Sequence, residues 1–91
     1  MKMAERYVHI RNKLGLHARA SARLVSTASQ YNSEIQLIKE SIEVNAKSIM
    51  GIMMLAACKG TELLVRAEGS DADDALNAIE ALVNDRFGED E

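Results

Sequence analysis

The segment EIQLIKESIEVN, residues 34–45, decides the class of fold because it contains two short β-rich runs with no helix between them. The polar residues Glu40 and Ser41 separate these runs, which are otherwise rich in Ile, Leu and Val. Strands joined this closely form a hairpin, since parallel strands need a crossover of about a dozen residues or more. The segment therefore predicts an antiparallel sheet.

One further strand is predicted on each side of this hairpin. Residues 5–10 (ERYVHI) alternate, with Val8 and Ile10 on one face of the strand. Residues 61–69 (TELLVRAEG) alternate apolar and polar side chains in the same way. This period of two is typical of strands that bury one face.

Three helices are predicted between and after these strands. The first runs from Ala18 to about Gln30 and places small and apolar residues at helical spacing: Ala18, Ala22, Leu24, Val25 and Ala28. The second begins at Ser48 as N-cap and is expected to end near Gly60. The third begins at Ser70 as N-cap, and its core stripe is Ala75, Leu76, Ile79, Leu82 and Val83.

The predicted order of elements is βαββαβα, in one domain over residues 1–91. Strands that bury one face and helices that bury one stripe favour an α+β architecture, in which a four-stranded antiparallel sheet carries three helices on one face. We expect the acidic tail, about residues 88–91, to fray. Cys58, the one cysteine, is expected to be a small buried apolar residue.

Charge and composition argue against nucleic acid and membrane as partners. The formal net charge is −3 and aromatic residues make up 3% of the chain, whereas nucleic-acid binders need a basic face and often aromatic platforms. Residues 1–13 lack the apolar core of a signal peptide, and the longest apolar run, residues 49–58, is about half a membrane span. We expect a cytoplasmic monomer with no cofactor and no metal site.

The segment LGLHARASARLV, residues 14–25, places His17 directly before the first predicted helix. The first turn of a helix has N–H groups without intrahelical partners and the positive end of the helix dipole, so it favours a bound anion. Arg19 adds a positive charge suited to phosphate oxygens. Both features disfavour a protonated ring, and a neutral imidazole can act as a nucleophile. This combination predicts reversible phosphorylation of His17 on a ring nitrogen.

The same residues also fit a plain surface histidine at the start of a helix. No catalytic base is recognisable near His17, since the first acidic residue after it is Glu34, and the sequence has no nucleotide-binding glycine loop. If His17 carries a phosphoryl group, other proteins must load and unload it. The chain would then be a carrier rather than a complete enzyme.

Two motifs together carry a resemblance to a known family. GLHARASARLV (15–25) with NAKSIMGIMMLAACKG (45–60) closely resembles the HPr family of the bacterial phosphotransferase system, and the resemblance covers nearly the whole chain. It implies an open-faced β-sandwich and a phosphohistidine at the pros nitrogen (Nδ1) of His17. It also implies that enzyme I, charged by phosphoenolpyruvate, is the donor and an enzyme IIA-type protein the acceptor. Arg19 matches the family's active-site arginine, and the backbone of Ala18 and Arg19 would hold the phosphate.

Two positions depart from the family pattern. Ala20 stands where family members usually have proline, and alanine is compatible with the first turn of a helix. Leu14 offers no polar side chain three residues before His17, so we expect the backbone alone to orient the ring. Neither change removes the chemistry.

Ser48 supports two interpretations. As a helix N-cap, its hydroxyl would accept a hydrogen bond from a backbone N–H in the next turn. Its match to the family implies a site that a dedicated HPr serine kinase modifies in some lineages. A phosphate at that helix N-terminus suits the dipole, so it would act on docking rather than on the fold.

An apolar docking patch beside His17 is predicted on the second helix. Other apolar residues of that helix fill its core stripe, so Ile49, Met50 and Met53 are expected to lie partly outside the core, although they could also extend it. Methionine suits surfaces that meet several partners. The flanking basic residues are Arg19, Arg23 and Lys47.

Two other functions remain open from the sequence. One is a regulatory binding module that acts through the Ser48 face of the second helix without phosphohistidine chemistry. The other is a small-molecule-sensing α+β domain. The sequence also leaves open whether a carrier of this kind would serve sugar uptake or a nitrogen-related branch with the same chemistry.

Overall fold

The computed structural model describes residues 2–91 and has the predicted order of strands and helices. The strands are β1 (Met3–His9), β2 (Glu34–Lys39), β3 (Ile42–Asn45) and β4 (Glu62–Glu68). The helices are α1 (Ala18–Ala28), α2 (Ile49–Met54) and α3 (Ala72–Asn84), followed by a short 3-10 turn at Arg86–Gly88. The four strands form one sheet in the order β1-β4-β2-β3, and every neighbouring pair is antiparallel. The α+β open-faced sandwich is therefore confirmed.

The core lies between the sheet and the helices because the strands alternate as predicted. On β4, Leu63, Val65 and Ala67 are buried, whereas Glu62 and Glu68 at its ends are exposed. The hairpin between β2 and β3 turns at Glu40 and Ser41. Within residues 2–91, no helix combines the length and the apolar character needed to cross a bilayer.

The buried stripe of α1 differs from the predicted one. Ala18 and Ala22 are exposed, and the stripe is formed by Ala20, Leu24 and Ala28, together with the buried Ser21. Alanines recur at helical spacing on both faces of this helix, so their spacing did not decide which face is buried. Ala20, which stands where proline is usual in the resembled family, has no exposed surface.

Helix α2 is shorter than predicted. It ends at Met54 with Leu55 as C-cap, and Ala56 has a left-handed φ of 49° that stops the helix. Gly60 lies in a later turn, where its N–H donates to the Ile10 carbonyl (2.7 Å). Cys58, expected to be buried, lies exposed in this segment.

The N-cap of α3 is Asp71 rather than Ser70. The Asp71 carboxylate makes no cap within its own helix, because it accepts hydrogen bonds from Asn32 N–H (2.8 Å), Ser33 N–H (2.9 Å) and Ser33 Oγ (2.5 Å). The hydrogen bond from the Ser33 hydroxyl, followed by that from the Asn32 backbone, lowers the pKa of Asp71. Asp71 therefore ties the loop before β2 to the start of α3.

The chain reverses direction after α3 in a left-handed turn. Arg86, Phe87 and Gly88 have φ values of 55°, 54° and 77°. Phe87 is completely buried, and the guanidinium of Arg23 donates a hydrogen bond to its carbonyl. The tail then runs back towards the start of α1, where its last carbonyl, that of Glu91, accepts from Lys13 N–H (3.1 Å). The fraying of residues 88–91 stays a prediction, although the buried Phe87 anchors the chain directly before them.

Candidate functional site

The backbone of His17 is fixed by the loop that precedes α1. Gly15 has a φ of 68°, and a Cβ at this position would lie 2.4 Å from the Ala57 carbonyl oxygen. The same carbonyl accepts from Leu16 N–H (2.9 Å). Only glycine allows so close an approach in this conformation. The loop is thus held against the segment that follows α2, and His17 takes the N-cap position of α1.

The first turn of α1 presents backbone donors beside His17. The side chain of His17 makes no cap for its own helix, and the first helical hydrogen bond runs from Ser21 N–H to the His17 carbonyl (2.9 Å). The N–H groups of Ala18 and Arg19 precede that bond and so have no partner within the helix. Both residues are exposed. The first turn of α1 therefore has two backbone donors without helical partners beside His17, and anion binding there stays a prediction.

A carboxylate that the sequence did not indicate contacts the His17 ring. Glu89 Oε2 lies 2.5 Å from His17 Nε2, and the other oxygen of Glu89 accepts from Asn12 Nδ2 (3.0 Å). Asn12 is completely buried and also donates to the Gly15 carbonyl (2.8 Å). The side chains of His17 and Glu89 are 29% and 12% exposed, so the ring remains reachable while the carboxylate is largely covered.

Opposing effects set the acidity of Glu89. Burial raises the pKa of its carboxyl, but hydrogen bonds from Asn12 and His17 and electrostatic interactions with His17 and Arg19 together lower that pKa by more. The net pKa lies below the ordinary value. Glu89 therefore stays ionised at neutral pH, and its favourable contribution is lost only as the pH falls through this lowered pKa.

Two expectations about His17 are corrected by this contact. Glu34 is the first acidic residue after His17 in sequence, but Glu89 is the carboxylate that reaches it in space. The ring is oriented by a side chain, not by the backbone alone. Phe87 was the sequence signal that could have indicated a docked tail. It is an apolar aromatic residue among polar ones, and a frayed tail would leave its side chain exposed to water.

Charged side chains of both signs surround an open depression at His17. Lys13 and Leu14 line it from the loop, Arg19 from α1, and Glu89 from the tail. Within residues 2–91, the Arg19 guanidinium has no hydrogen-bonding partner, so its donors are available to an anion. No set of three or more His, Cys, Asp or Glu side chains in this part of the chain is arranged to hold a metal ion.

Ser48 is the N-cap of α2, as predicted. Its Oγ accepts a hydrogen bond from Gly51 N–H at 3.1 Å, and the residue is half-buried. The hydroxyl is therefore engaged in capping.

The predicted apolar residues of α2 are exposed. The exposed fractions are 41% for Ile49, 75% for Met50 and 43% for Met53. Met54, at 72%, and Leu14, at 68%, are also exposed, and the sequence interpretation missed both. Helix α2 packs against α1, whose N-cap is His17.

The predicted flanking cations differ in how they are engaged. Lys47 Nζ donates to the Tyr31 carbonyl (2.7 Å), and Arg23 donates to the Phe87 carbonyl. Both therefore have structural contacts, whereas Arg19 is exposed in the first turn of α1.

Comparison with known proteins agrees with the fold and identifies the family. The family model described as "PTS HPr component phosphorylation site" matches residues 4–85. The chain is 49% identical to the phosphocarrier protein HPr of Neisseria meningitidis, over 98% of this chain and all of that protein. It is 43% identical to the phosphocarrier protein NPr of Shewanella violacea, over 98% of each. The crystal structure of HPr-C-His from Thermoanaerobacter tengcongensis superposes with a TM-score of 0.92 at 45% identity, covering both chains completely. The chain therefore belongs to the HPr family of phosphocarrier proteins of the phosphotransferase system.

Proposed function

We propose that this chain accepts a phosphoryl group on Nδ1 of His17 from phosphorylated enzyme I and passes it to an enzyme IIA-type acceptor. The observation that carries the proposal is the position of His17: a partly exposed ring at the start of α1, with Arg19 in the next turn. Membership of the HPr family supports a carrier role. The chain is then a group carrier and not an enzyme, because its partners load and unload it.

The geometry suits both the attacking ring and the phosphorylated product. The lone pair of Nδ1 forms a bond to phosphorus, while the bond from phosphorus to the donor breaks and the donor keeps that electron pair. The phosphoryl oxygens can then meet the N–H groups of Ala18 and Arg19 and the Arg19 guanidinium. Since these donors are already in place, little reorganisation accompanies the transfer.

We further propose a cytoplasmic monomer whose partners are proteins and not nucleic acid. The net charge of −3 argues against nucleic acid as a partner. Relatives called HPr and NPr are both similar over nearly the whole chain, so a sugar branch and a nitrogen-related branch both remain compatible with the same His17 chemistry.

The His17 assignment predicts an acid-labile label. Incubation of the purified protein with enzyme I and labelled phosphoenolpyruvate should transfer label to the wild-type chain, and acid should release it, as expected for phosphohistidine. His17→Ala should take up no label and keep the circular dichroism spectrum of the wild type, because the ring is partly exposed.

His9→Ala is the matched control. His9 also faces a carboxylate, with Nε2 at 3.1 Å from Glu62 Oε2, but it is an exposed residue at the end of β1 and does not line the depression at His17. This variant should label like the wild type. Acid-stable label on the wild type, or equal labelling of His17→Ala, would contradict the assignment. No label at all would favour a binding or sensing domain.

We also propose that Ser48 is a regulatory phosphosite for an HPr serine kinase. Incubation with ATP and an extract of the host should give acid-stable label on the wild type and none on Ser48→Ala. Ser48→Ala should also lose about 1 kcal/mol of unfolding free energy, because the cap on Gly51 N–H is removed. Urea denaturation measures that loss.

Ser26→Ala serves as the control for both measurements. Ser26 is an exposed residue within α1, so its variant should keep the label and nearly all of the stability. Equal labelling of wild type and Ser48→Ala would remove the regulatory proposal.

We propose, thirdly, that a docking patch for partner proteins is formed by three exposed apolar residues of α2: Ile49, Met50 and Met53. Buried anchor residues at interfaces cost more than about 1 kcal/mol when truncated. We therefore expect Met50→Ala with Met53→Ala to raise the KM of enzyme I for this carrier about 10-fold. Met3→Ala, which truncates a 55% exposed methionine on β1, should leave that KM unchanged. Transfer at the wild-type rate and KM by the double variant would exclude the patch.

A further inference from the structure

We propose that Glu89 is a positioning residue for phosphoryl transfer, whose carboxylate holds Nε2 of His17 and so leaves Nδ1 free to act as the nucleophile. This inference rests on the proposed function of His17 and specifies how the chain prepares the ring for it. Glu89 lies outside residues 4–85, the part of the chain that the family model matches. The match itself therefore assigns no role to this residue.

The contact determines which ring nitrogen is available. A carboxylate can only accept a hydrogen bond, so the 2.5 Å contact between Glu89 Oε2 and His17 Nε2 places a proton on Nε2. In a neutral imidazole, the other nitrogen then carries the lone pair. Within residues 2–91, Glu89 is the one hydrogen-bonding partner of the ring. In that neutral form, which is the nucleophilic one, Nδ1 is the nitrogen with a free lone pair and no hydrogen-bonding partner.

Glu89 is itself held in place through its second oxygen. Asn12 Nδ2 donates to Glu89 Oε1 at 3.0 Å and to the Gly15 carbonyl at 2.8 Å. Since Asn12 is completely buried, its amide is a rigid support. A carboxylate bound at both oxygens cannot rotate freely, so it fixes the orientation of the ring as well as its proton.

The backbone that delivers Glu89 is energetically unfavourable on its own. Arg86 and Phe87 both have left-handed φ values, of 55° and 54°, and such residues persist only where the surroundings impose them. Burial of the Phe87 side chain and the hydrogen bond from Arg23 to its carbonyl impose this turn. An extended tail would avoid the strain but would carry Glu89 away from His17.

The chemistry of transfer uses the same arrangement. When the Nδ1 lone pair bonds to phosphorus and the donor keeps the electron pair of its broken bond, the ring becomes positively charged while its proton stays on Nε2. The ionised Glu89 faces that proton and stabilises the charge as it develops. The two ring nitrogens point in different directions. The Glu89 carboxylate can therefore stay in contact with Nε2 while the phosphoryl group on Nδ1 lies beside the first turn of α1.

Glu89→Gln tests the proposal, because it keeps the size of the side chain but removes the charge and one of the two accepting oxygens. The first measurement is transfer from phosphorylated enzyme I, resolved into kcat and KM. We expect kcat to fall about 10-fold or more, as is typical when the group that orients a functional histidine is lost, with KM unchanged. The second is the ¹H–¹⁵N spectrum of the unphosphorylated protein. The wild type should show a downfield His17 Nε2–H signal protected from exchange, and the variant should lose it.

Glu62→Gln is the matched control, since it makes the same change of charge at a carboxylate that contacts the other histidine. The Glu62 carboxylate lies 3.1 Å from His9 Nε2, is 54% exposed and does not line the depression at His17, so both measurements should match the wild type. Unchanged kcat in Glu89→Gln would overturn the proposal. A faster kcat would overturn it too, by showing that the tail blocks the site, and a rise in KM alone would indicate docking instead.

Failure of the inference can be told from failure of the proposed function. If the wild-type chain takes up acid-labile label and Glu89→Gln transfers it equally well, only the positioning role is lost. If the wild type takes up no such label, both are lost, whatever the spectrum shows.

Discussion

The close packing of Gly15 against the Ala57 carbonyl is the constraint on which the site depends. A side chain at residue 15 would place its Cβ 2.4 Å from that oxygen, so the loop can lie here only because glycine has no Cβ. The contact decides where α1 begins, and it thereby puts His17 at the N-cap. It also brings the loop before α1 against the segment after α2, and a backbone hydrogen bond holds the two together.

Charge around His17 is balanced by two elements on opposite ends of the chain. The first turn of α1 and Arg19 are positive and favour a bound anion, whereas Glu89 is negative and contacts Nε2 of the ring. In the proposed reaction, the phosphoryl oxygens would meet the backbone donors and Arg19, and the imidazole that becomes positive would meet the Glu89 carboxylate. A site with only positive neighbours would stabilise the phosphate but oppose the charge on the ring that carries it.

Local features were predictable from the sequence, and long-range ones were not. Alternation on β4 and the hairpin around Glu40 predicted the sheet, since each depends on neighbouring residues. The N-cap role of Ser48 was equally local. The length of α2 was misjudged because the backbone of Ala57 binds a distant loop instead of continuing the helix. The Glu89 contact was missed for the same reason, since it joins residues far apart in sequence through a left-handed turn.

The nitrogen that carries the phosphoryl group tests the account most directly. The ¹⁵N-labelled chain, phosphorylated by enzyme I and phosphoenolpyruvate, can be examined by ³¹P–¹⁵N correlation to identify the bonded ring atom of His17. Phosphorus attached to Nδ1, with a proton still on Nε2 beside Glu89, is the predicted result. Phosphorus attached to Nε2 would contradict the account, because that nitrogen would then have to leave the carboxylate that holds it.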